Sequence, residues 1–346
     1  MKTINYKKLN RIVIRVPNWI GDCVMAIGGL RAIRNLCPNA HIAIVGRPWV
    51  AGLFEHLDCI DEIIAFDKTT TDKLPFGFLK FCKKLKAKQF DAAFLFQNAF
   101  EAALMVSLAG IKIKIGYNRD CRGFMLSHPI YVNRQKLLSK HEVFYYTNII
   151  KQSFKPTTSI DSNIRLINTD KQNIIEQTFK KFNIPQHKNI IGISPGAAFG
   201  PAKRWPTNNF SELAKRLQTE LNATVIITGA KADQKPTENM PGINLCAKTS
   251  LSEAIYLTAG CDIFISNDSG PMHIAAALKI PQIAIFGSTD YIRTGPFSDK
   301  AIILRDEELD CIPCRKRTCK LGTYECLSKI TVQNVFNNCV KLLNNK

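Results

Sequence analysis

The stretch CDIFISNDSGPMHIAAALKIPQIAIFG, residues 261–287, reads as a strand, a glycine turn, a helix and a second strand. Asp262 to Ser266 is a short apolar run that suits a buried parallel strand. Asn267, Asp268, Ser269 and Gly270 have turn chemistry. Pro271 suits the first helical position, where its missing N–H costs nothing. Gly270 is then the expected N-cap, and the N–H groups of Met272 and His273 stay open. Open N–H groups at the positive end of a helix form an anion site, and a diphosphate is the anion expected here.

The same alternation runs outward in both directions. Arg11 to Val16 is a strand, residues 17–22 a tight turn, Cys23 to Leu36 a single helix and His41 to Gly46 the next strand. Further strands are expected at 60–66, 91–96 and 111–116, with a basic helix at 77–88 and others at 99–108 and 141–154. Residues 155–187 are rich in Pro, Thr, Ser and Asn at first and read as a junction. The pattern then restarts with a strand at 189–194, a helix at 208–221, a strand at 224–229 and a helix at 250–259. Strand–helix–strand units imply parallel sheets with right-handed crossovers. The fold class expected is α/β, with two Rossmann-like domains whose sheets face a cleft. Their expected limits are 1–165 and 166–330, followed by an amphipathic helix at 331–346. Ligands in such folds bind beyond the carboxyl ends of the strands.

Composition narrows the partners. With 46% hydrophobic and 22% charged residues the chain is an ordinary globular protein. No apolar run reaches the length of a membrane span, and the apolar run after the basic start is too short for a signal peptide. A cytoplasmic location is expected. Lys and Arg number 47 against 28 Asp and Glu, a net charge of +19. A solvated basic surface explains that charge; so does an anionic partner. No zinc-finger, helix-pair or aromatic stacking signature is present. That moves weight from nucleic acid towards phosphorylated ligands and an acidic membrane surface, and no nucleic-acid partner is expected.

Several residues could carry chemistry. Asp22 follows a strand and opens a helix, so it is either an N-cap or a general base for a sugar hydroxyl. Lys203 and Arg204 lie on the loop GISPGAAFGPAKRWP, residues 192–206, shaped by Gly and Pro after a strand. They are either surface charges or phosphate ligands. Asp268 could bond a sugar hydroxyl or stabilise its own turn. His273 could meet a phosphate or finish the helix cap. Arg119 and Arg122 on a polar turn, with Asn98 nearby, could meet phosphate or carboxylate groups. Lys80, Lys83, Lys84, Lys86 and Lys88 could approach an anionic membrane at roughly 1 kcal/mol each. Of the 12 Cys, Cys311, Cys314, Cys319 and Cys326 form a late cluster. Its first spacing fits a zinc knuckle and its later ones do not, leaving a structural metal, free thiols or reversible disulfides.

Three segments in order, VPNWIGDCVMA, SPGAAFGPAKRWP and SNDSGPMHIAAAL, resemble the signature regions of the ADP-heptose–lipopolysaccharide heptosyltransferases. GAAFGPAKRWP resembles the heptosyltransferase II branch in particular, and weaker matches around 97–100 and 116–123 extend the likeness over nearly the whole chain. The resemblance implies the glycosyltransferase-B fold and an inverting, metal-independent transfer of heptose from ADP-heptose, with no cofactor required. It implies that the acceptor, a Kdo–lipid A oligosaccharide already bearing heptose, is held by the first domain at the cytoplasmic face of the inner membrane. By resemblance Asp22 is the catalytic base, Lys203 the donor-phosphate lysine, and Asp268, Ser269, Gly270 and His273 the donor-binding turn. The alternatives are heptosyltransferase I or III acting on another inner-core acceptor, or a basic nucleotide-binding protein without transferase activity. Two departures stand out: Pro271 replaces a frequent Leu, and Lys231 lies where some members carry an acidic residue near the adenosine.

Overall fold

Short runs of Ile, Val, Ala and Phe form two six-stranded sheets. The computed structural model describes residues 4–132, 139–154, 160–167, 172–186 and 189–345. The first sheet contains β1 (Arg11–Arg15), β2 (His41–Gly46), β3 (Glu62–Ala65), β4 (Ala92–Leu95), β5 (Ile113–Tyr117) and β6 (His128–Ile130). Their spatial order is β3-β2-β1-β4-β5-β6. The second contains β7 (Ile190–Ser194), β8 (Thr224–Ile227), β9 (Ile243–Asn244), β10 (Ile263–Asn267), β11 (Gln282–Ile285) and β12 (Ala301–Leu304), in the order β12-β11-β10-β7-β8-β9. Neighbouring strands run parallel throughout both sheets. Counted from its own first strand, the second sheet repeats the order of the first. Each therefore reverses strand order at one place, between β1 and β4 or between β7 and β10, where such sheets bind ligands.

The chain divides into two units, Met1–Ile164 and Arg165–Lys346. Parts of the junction expected at 155–187 lie outside the described residues. In each unit the central strands are covered on both faces, which is why they read as continuous apolar runs. All four residues of β4 are buried, as are all five of β7 and of β10. Each large apolar side chain so buried contributes about 1.5–3 kcal/mol. The Phe76–Ala87 helix buries Phe78, Phe81, Cys82 and Leu85 at helical spacing against the first sheet. The Val332–Asn344 helix places Val335, Phe336 and Cys339 in the core of the second unit. No helix among the described residues is long and apolar enough to cross a membrane.

The structure departs from the sequence reading at four places. The expected helix from Cys23 to Leu36 is two helices, Ile20–Met25 and Ile27–Leu36, which meet at Ala26. Trp19 is therefore the N-cap, and Asp22 lies inside the first turn of the shorter helix. The helix after β10 starts one residue early: Ser269, with extended backbone, is the N-cap, Gly270 opens the helix and Pro271 follows. Proline is tolerated here too, because the first turn's N–H groups have no helical acceptor. The edge strands β6 and β12 had not been expected.

Candidate active site

In the second unit the residues singled out in the sequence meet at the switch between β7 and β10. Asn267, the last residue of β10 and fully buried, joins the two loops there. Its Nδ2 donates to the Pro195 carbonyl at 2.7 Å, and its Oδ1 accepts from the Trp205 N–H at 3.0 Å. Trp205, itself buried, donates from Nε1 to the Ile330 carbonyl at 2.8 Å. The loop that carries Lys203 is thus fixed at both ends. Lys203 Nζ lies 2.6 Å from Asp268 Oδ2, with side-chain exposures of 13% and 2%. The Thr289 hydroxyl donates to the same carboxylate oxygen. Lys203 Nζ also stands 4.9 Å from the Phe199 ring centre, within cation–π range.

The remaining candidates of this unit take unequal parts. Ser269 Oγ donates to the Asn267 carbonyl at 3.2 Å, so the hydroxyl braces the turn and does not cap the helix. His273 is buried in the helix that Gly270 opens. Arg204 Nε donates to the Ala197 carbonyl at 3.1 Å, so this arginine secures its own loop. Gly196 packs its backbone against the Asp233 carboxylate, leaving no space for a Cβ. Asp233 also accepts from the Ala230 N–H at 2.9 Å. An acidic side chain thus stands on this loop two positions beyond Lys231.

In the first unit Asp22 lies just beyond β1. Burial pushes the neighbouring Cys23 thiol and the Tyr146 hydroxyl up, and in each the Asp22 carboxylate adds to the effect. Arg15, the last residue of β1, is buried and secures the Asp22 loop. Its guanidinium donates to the Val16 carbonyl at 2.6 Å, the Val45 carbonyl at 3.2 Å and Asn18 Oδ1 at 2.9 Å. Burial, followed by repulsion from Arg47, lowers its pKa to about 10.

Asn98 and Arg122 come together beyond β4 and β5, though not as surface groups. Arg122 is fully buried, which corrects the expectation of an exposed polar turn. It donates to the carbonyls of Tyr117 at 3.1 Å and Gln97, and to Asn98 Oδ1 at 3.2 Å. The strand ends have carbonyls to satisfy, and a guanidinium satisfies several at once. Burial lowers its pKa to about 10. Asn98 Nδ2 donates to the Tyr145 hydroxyl at 2.8 Å, and Arg119, exposed, bonds the same hydroxyl. On the basic helix Lys80, Lys83, Lys84 and Lys86 are exposed. Lys88 is not free for a membrane: its ammonium pairs with Glu62.

Cys326 is buried, Cys314 and Cys319 are half-buried and Cys311 is exposed. Burial first, and then the other three thiols, push Cys326 up to about 11. Backbone N–H groups, that of Tyr324 foremost, hold Cys319 below its usual range. Among the described residues no three His, Cys, Asp or Glu side chains are arranged to hold a metal. Sequence reading had passed over Asn267, Thr289, Asp233 and Arg15 as functional residues. For Asn267 and Arg15 the available signal was a polar residue closing an otherwise apolar strand.

The profile of glycosyltransferase family 9 (heptosyltransferase) matches residues 78–325. The chain is 30% identical over 347 residues to lipooligosaccharide heptosyltransferase 2 of Campylobacter jejuni subsp. jejuni serotype O:6, spanning 96% of this chain and 99% of that one. It is 28% identical over 353 residues to lipopolysaccharide heptosyltransferase 2 of Escherichia coli strain K12, spanning 96% and 98%. The solved structure of E. coli ADP-heptose lipopolysaccharide heptosyltransferase II matches with a TM-score of 0.81 at 27% identity, covering 97% of this chain and 99% of that one.

Proposed function

Because the chain belongs to glycosyltransferase family 9, the heptosyltransferases, we propose that it transfers L-glycero-D-manno-heptose from ADP-heptose to the first heptose of the lipopolysaccharide inner core. The observation that carries this reading is the Lys203–Asp268 pair beside the start of the Gly270–Ala277 helix. It supplies a fixed cation at the positive end of a helix, where a diphosphate leaving group needs one.

The acceptor hydroxyl attacks the anomeric carbon and loses its proton to Asp22. The bond between that carbon and the ADP oxygen breaks, and ADP departs with the electron pair. One displacement inverts the anomeric centre. Negative charge grows on the departing diphosphate, and Lys203 with the helix start near Gly270 stabilises it; one such donor is typically worth roughly 3–4 kcal/mol. The reading requires no metal cofactor, since no Asp-x-Asp pair follows a strand and cationic groups stand at the donor turn. Ser269 and Asp268 shape the turn, and His273 supports the helix start from within. Asp233 takes the acidic place near the adenosine that Lys231 leaves vacant.

For the acceptor, Arg119 is the exposed cation that meets phosphate or carboxylate groups, and Asn98 and Arg122 hold its turn. The acceptor's lipid places the enzyme at the cytoplasmic face of the inner membrane as a peripheral protein. Exposed Lys80, Lys83, Lys84 and Lys86 support that placement through attraction to anionic lipid. So do the exposed aromatics of the first unit. Phe76, Trp49, Trp19, Phe100, Phe124 and Tyr131 follow, in spatial order, each strand of the sheet from β3 to β6. Among the described residues the second unit exposes no large aromatic side chain of this kind.

The test is incubation of the purified chain with ADP-heptose and Kdo–lipid A acceptors bearing no heptose or one. Transfer to the one-heptose acceptor alone is expected. Transfer to the bare acceptor would reassign the step, and no transfer to either would overturn the reading. Asp22→Ala should abolish turnover and leave ADP-heptose affinity within a few fold; unchanged turnover would remove Asp22 as the base.

A further inference from the structure

The cysteine-rich segment has no part in the transfer just described, yet it is tied to both loops of the donor turn. Arg317 Nε donates to the Phe199 carbonyl at 2.6 Å, and its guanidinium stands 5.5 Å from the Phe199 ring centre. The Arg317 carbonyl accepts from the Ala202 N–H at 3.1 Å. Gly200 sits between these contacts at φ +150°, and a Cβ there would lie 2.6 Å from the Arg317 carbonyl oxygen. Two residues earlier, the Arg315 N–H donates to the Ser288 carbonyl at 2.6 Å, and Arg315 Nη2 pairs with Asp290 at 2.9 Å. Thr289, between Ser288 and Asp290, is the residue that donates to Asp268.

We propose that Arg317 is a positioning residue for donor binding: it fixes the Phe199 ring, and the ring fixes Lys203. A lysine stem has four rotatable bonds, and its ammonium goes where its surroundings send it. Asp268 draws the ammonium through its carboxylate, and the Phe199 ring attracts it as well. The ring is in turn fixed by Arg317 through a carbonyl bond and a second cation–π contact. Arg317 itself needs no contact with the donor.

This inference rests on the proposed donor role of Lys203, and the experiment separates the two. The ligand is ADP, titrated calorimetrically into the wild type, Lys203→Ala, Arg317→Ala and the double variant, with thermal unfolding recorded for each. Arg317→Ala should weaken ADP binding about tenfold, the order expected for one charge-assisted bond. In the Lys203→Ala background the same change should weaken it less than about twofold, because coupled groups are non-additive. Lys316→Ala, an exposed neighbour, should bind ADP as the wild type does. Where Arg317→Ala fails to fold, Phe199→Leu carries the test, since it removes the ring and leaves the arginine–carbonyl bond.

Equal losses in both backgrounds would overturn the inference, because Arg317 would then act independently of Lys203. Wild-type ADP affinity in Arg317→Ala, or in Phe199→Leu where that variant carries the test, would overturn it as well. If Lys203→Ala alone leaves ADP binding intact, the donor assignment itself falls. If Lys203→Ala weakens binding and Arg317→Ala does not, only the positioning role falls.

Discussion

Replacing either partner of the Lys203–Asp268 pair removes the same ion pair, yet the two changes should differ in cost. At 2.6 Å and an effective dielectric of about 20, the gross attraction is about 6 kcal/mol. Removing one partner of a buried pair typically costs about 3–5 kcal/mol, because the other charge is left uncompensated. The two remaining charges are not equally trapped. Asp268 is 2% exposed and its carboxylate would retain the Thr289 hydroxyl as donor. Lys203 is 13% exposed, on a long stem that can turn its ammonium into water. Lys203→Met should therefore cost about 3 kcal/mol and Asp268→Asn about 1 kcal/mol, with the double variant recovering about 2 kcal/mol of their sum. Urea unfolding followed by the fluorescence of buried Trp205 reads the effect in the right unit. With a slope of about 2 kcal/mol/M, the Lys203→Met midpoint should fall by about 1.5 M. If Asp268→Asn is the more damaging change, or if the two losses simply add, the account of a trapped carboxylate and a cation that can reach water once unpaired is wrong.

Other consequences are as direct. Arg122→Met removes a buried guanidinium from the carbonyls at the ends of β4 and β5; a loss of about 3 kcal/mol in chemical unfolding is expected, and a loss under 1 kcal/mol would show that water replaces it freely. Glu253 caps its helix through the Ser250 N–H at 2.7 Å, and the Lys181 ammonium, with that N–H, lowers its pKa. A lowered carboxylate pKa stabilises the fold above the unfolded value of about 4.3 and ceases to do so as pH falls through the folded value. Glu253→Gln should thus cost about 1 kcal/mol at pH 7 and converge with wild type near pH 2, and a pH-independent difference would refute the linkage. Flotation with anionic vesicles should carry the protein up at low salt. Changing Lys80, Lys83, Lys84 and Lys86 to Gln should weaken that binding by roughly 4 kcal/mol in total, and equal flotation with neutral vesicles would argue against charge attraction.

Much of this was legible because the informative signals are local. Strand, turn and helix succeed one another within 261–287, and an apolar run, turn residues and Pro271 mark them. The helix start was misplaced by one residue because Pro fits both the first and second helical positions, and sequence does not reveal that Ser269 takes the extended backbone. β12 was passed over because Ala301–Leu304 is four residues long between charged flanks. β6 is three residues with Pro129 at its centre, which an edge strand tolerates and a central one does not. The buried arginines were less legible still. Arg122 looked like a surface charge because its partners are carbonyls of Leu95 and Gln97, contributed by another strand end. Lys203 and Asp268 were each singled out, but nothing in the sequence shows that one neutralises the other.

That pairing bears on how the donor turn would work. A bare buried lysine would attract a ground-state diphosphate strongly and would need to be held against its own flexibility. Paired with Asp268, Lys203 has its geometry set before the donor arrives. Only interactions that strengthen towards the transition state accelerate a reaction. As the glycosidic bond lengthens, the charge on the leaving diphosphate increases while the lysine need not move. A preorganised cation of this kind then gains more from the transition state than from the bound donor. On this argument Asp268 contributes to rate by fixing the geometry of the cation. Asp268→Asn should therefore turn ADP-heptose over more slowly, because the unpaired ammonium can swing into water. Unchanged turnover would mean that the lysine holds its place without Asp268.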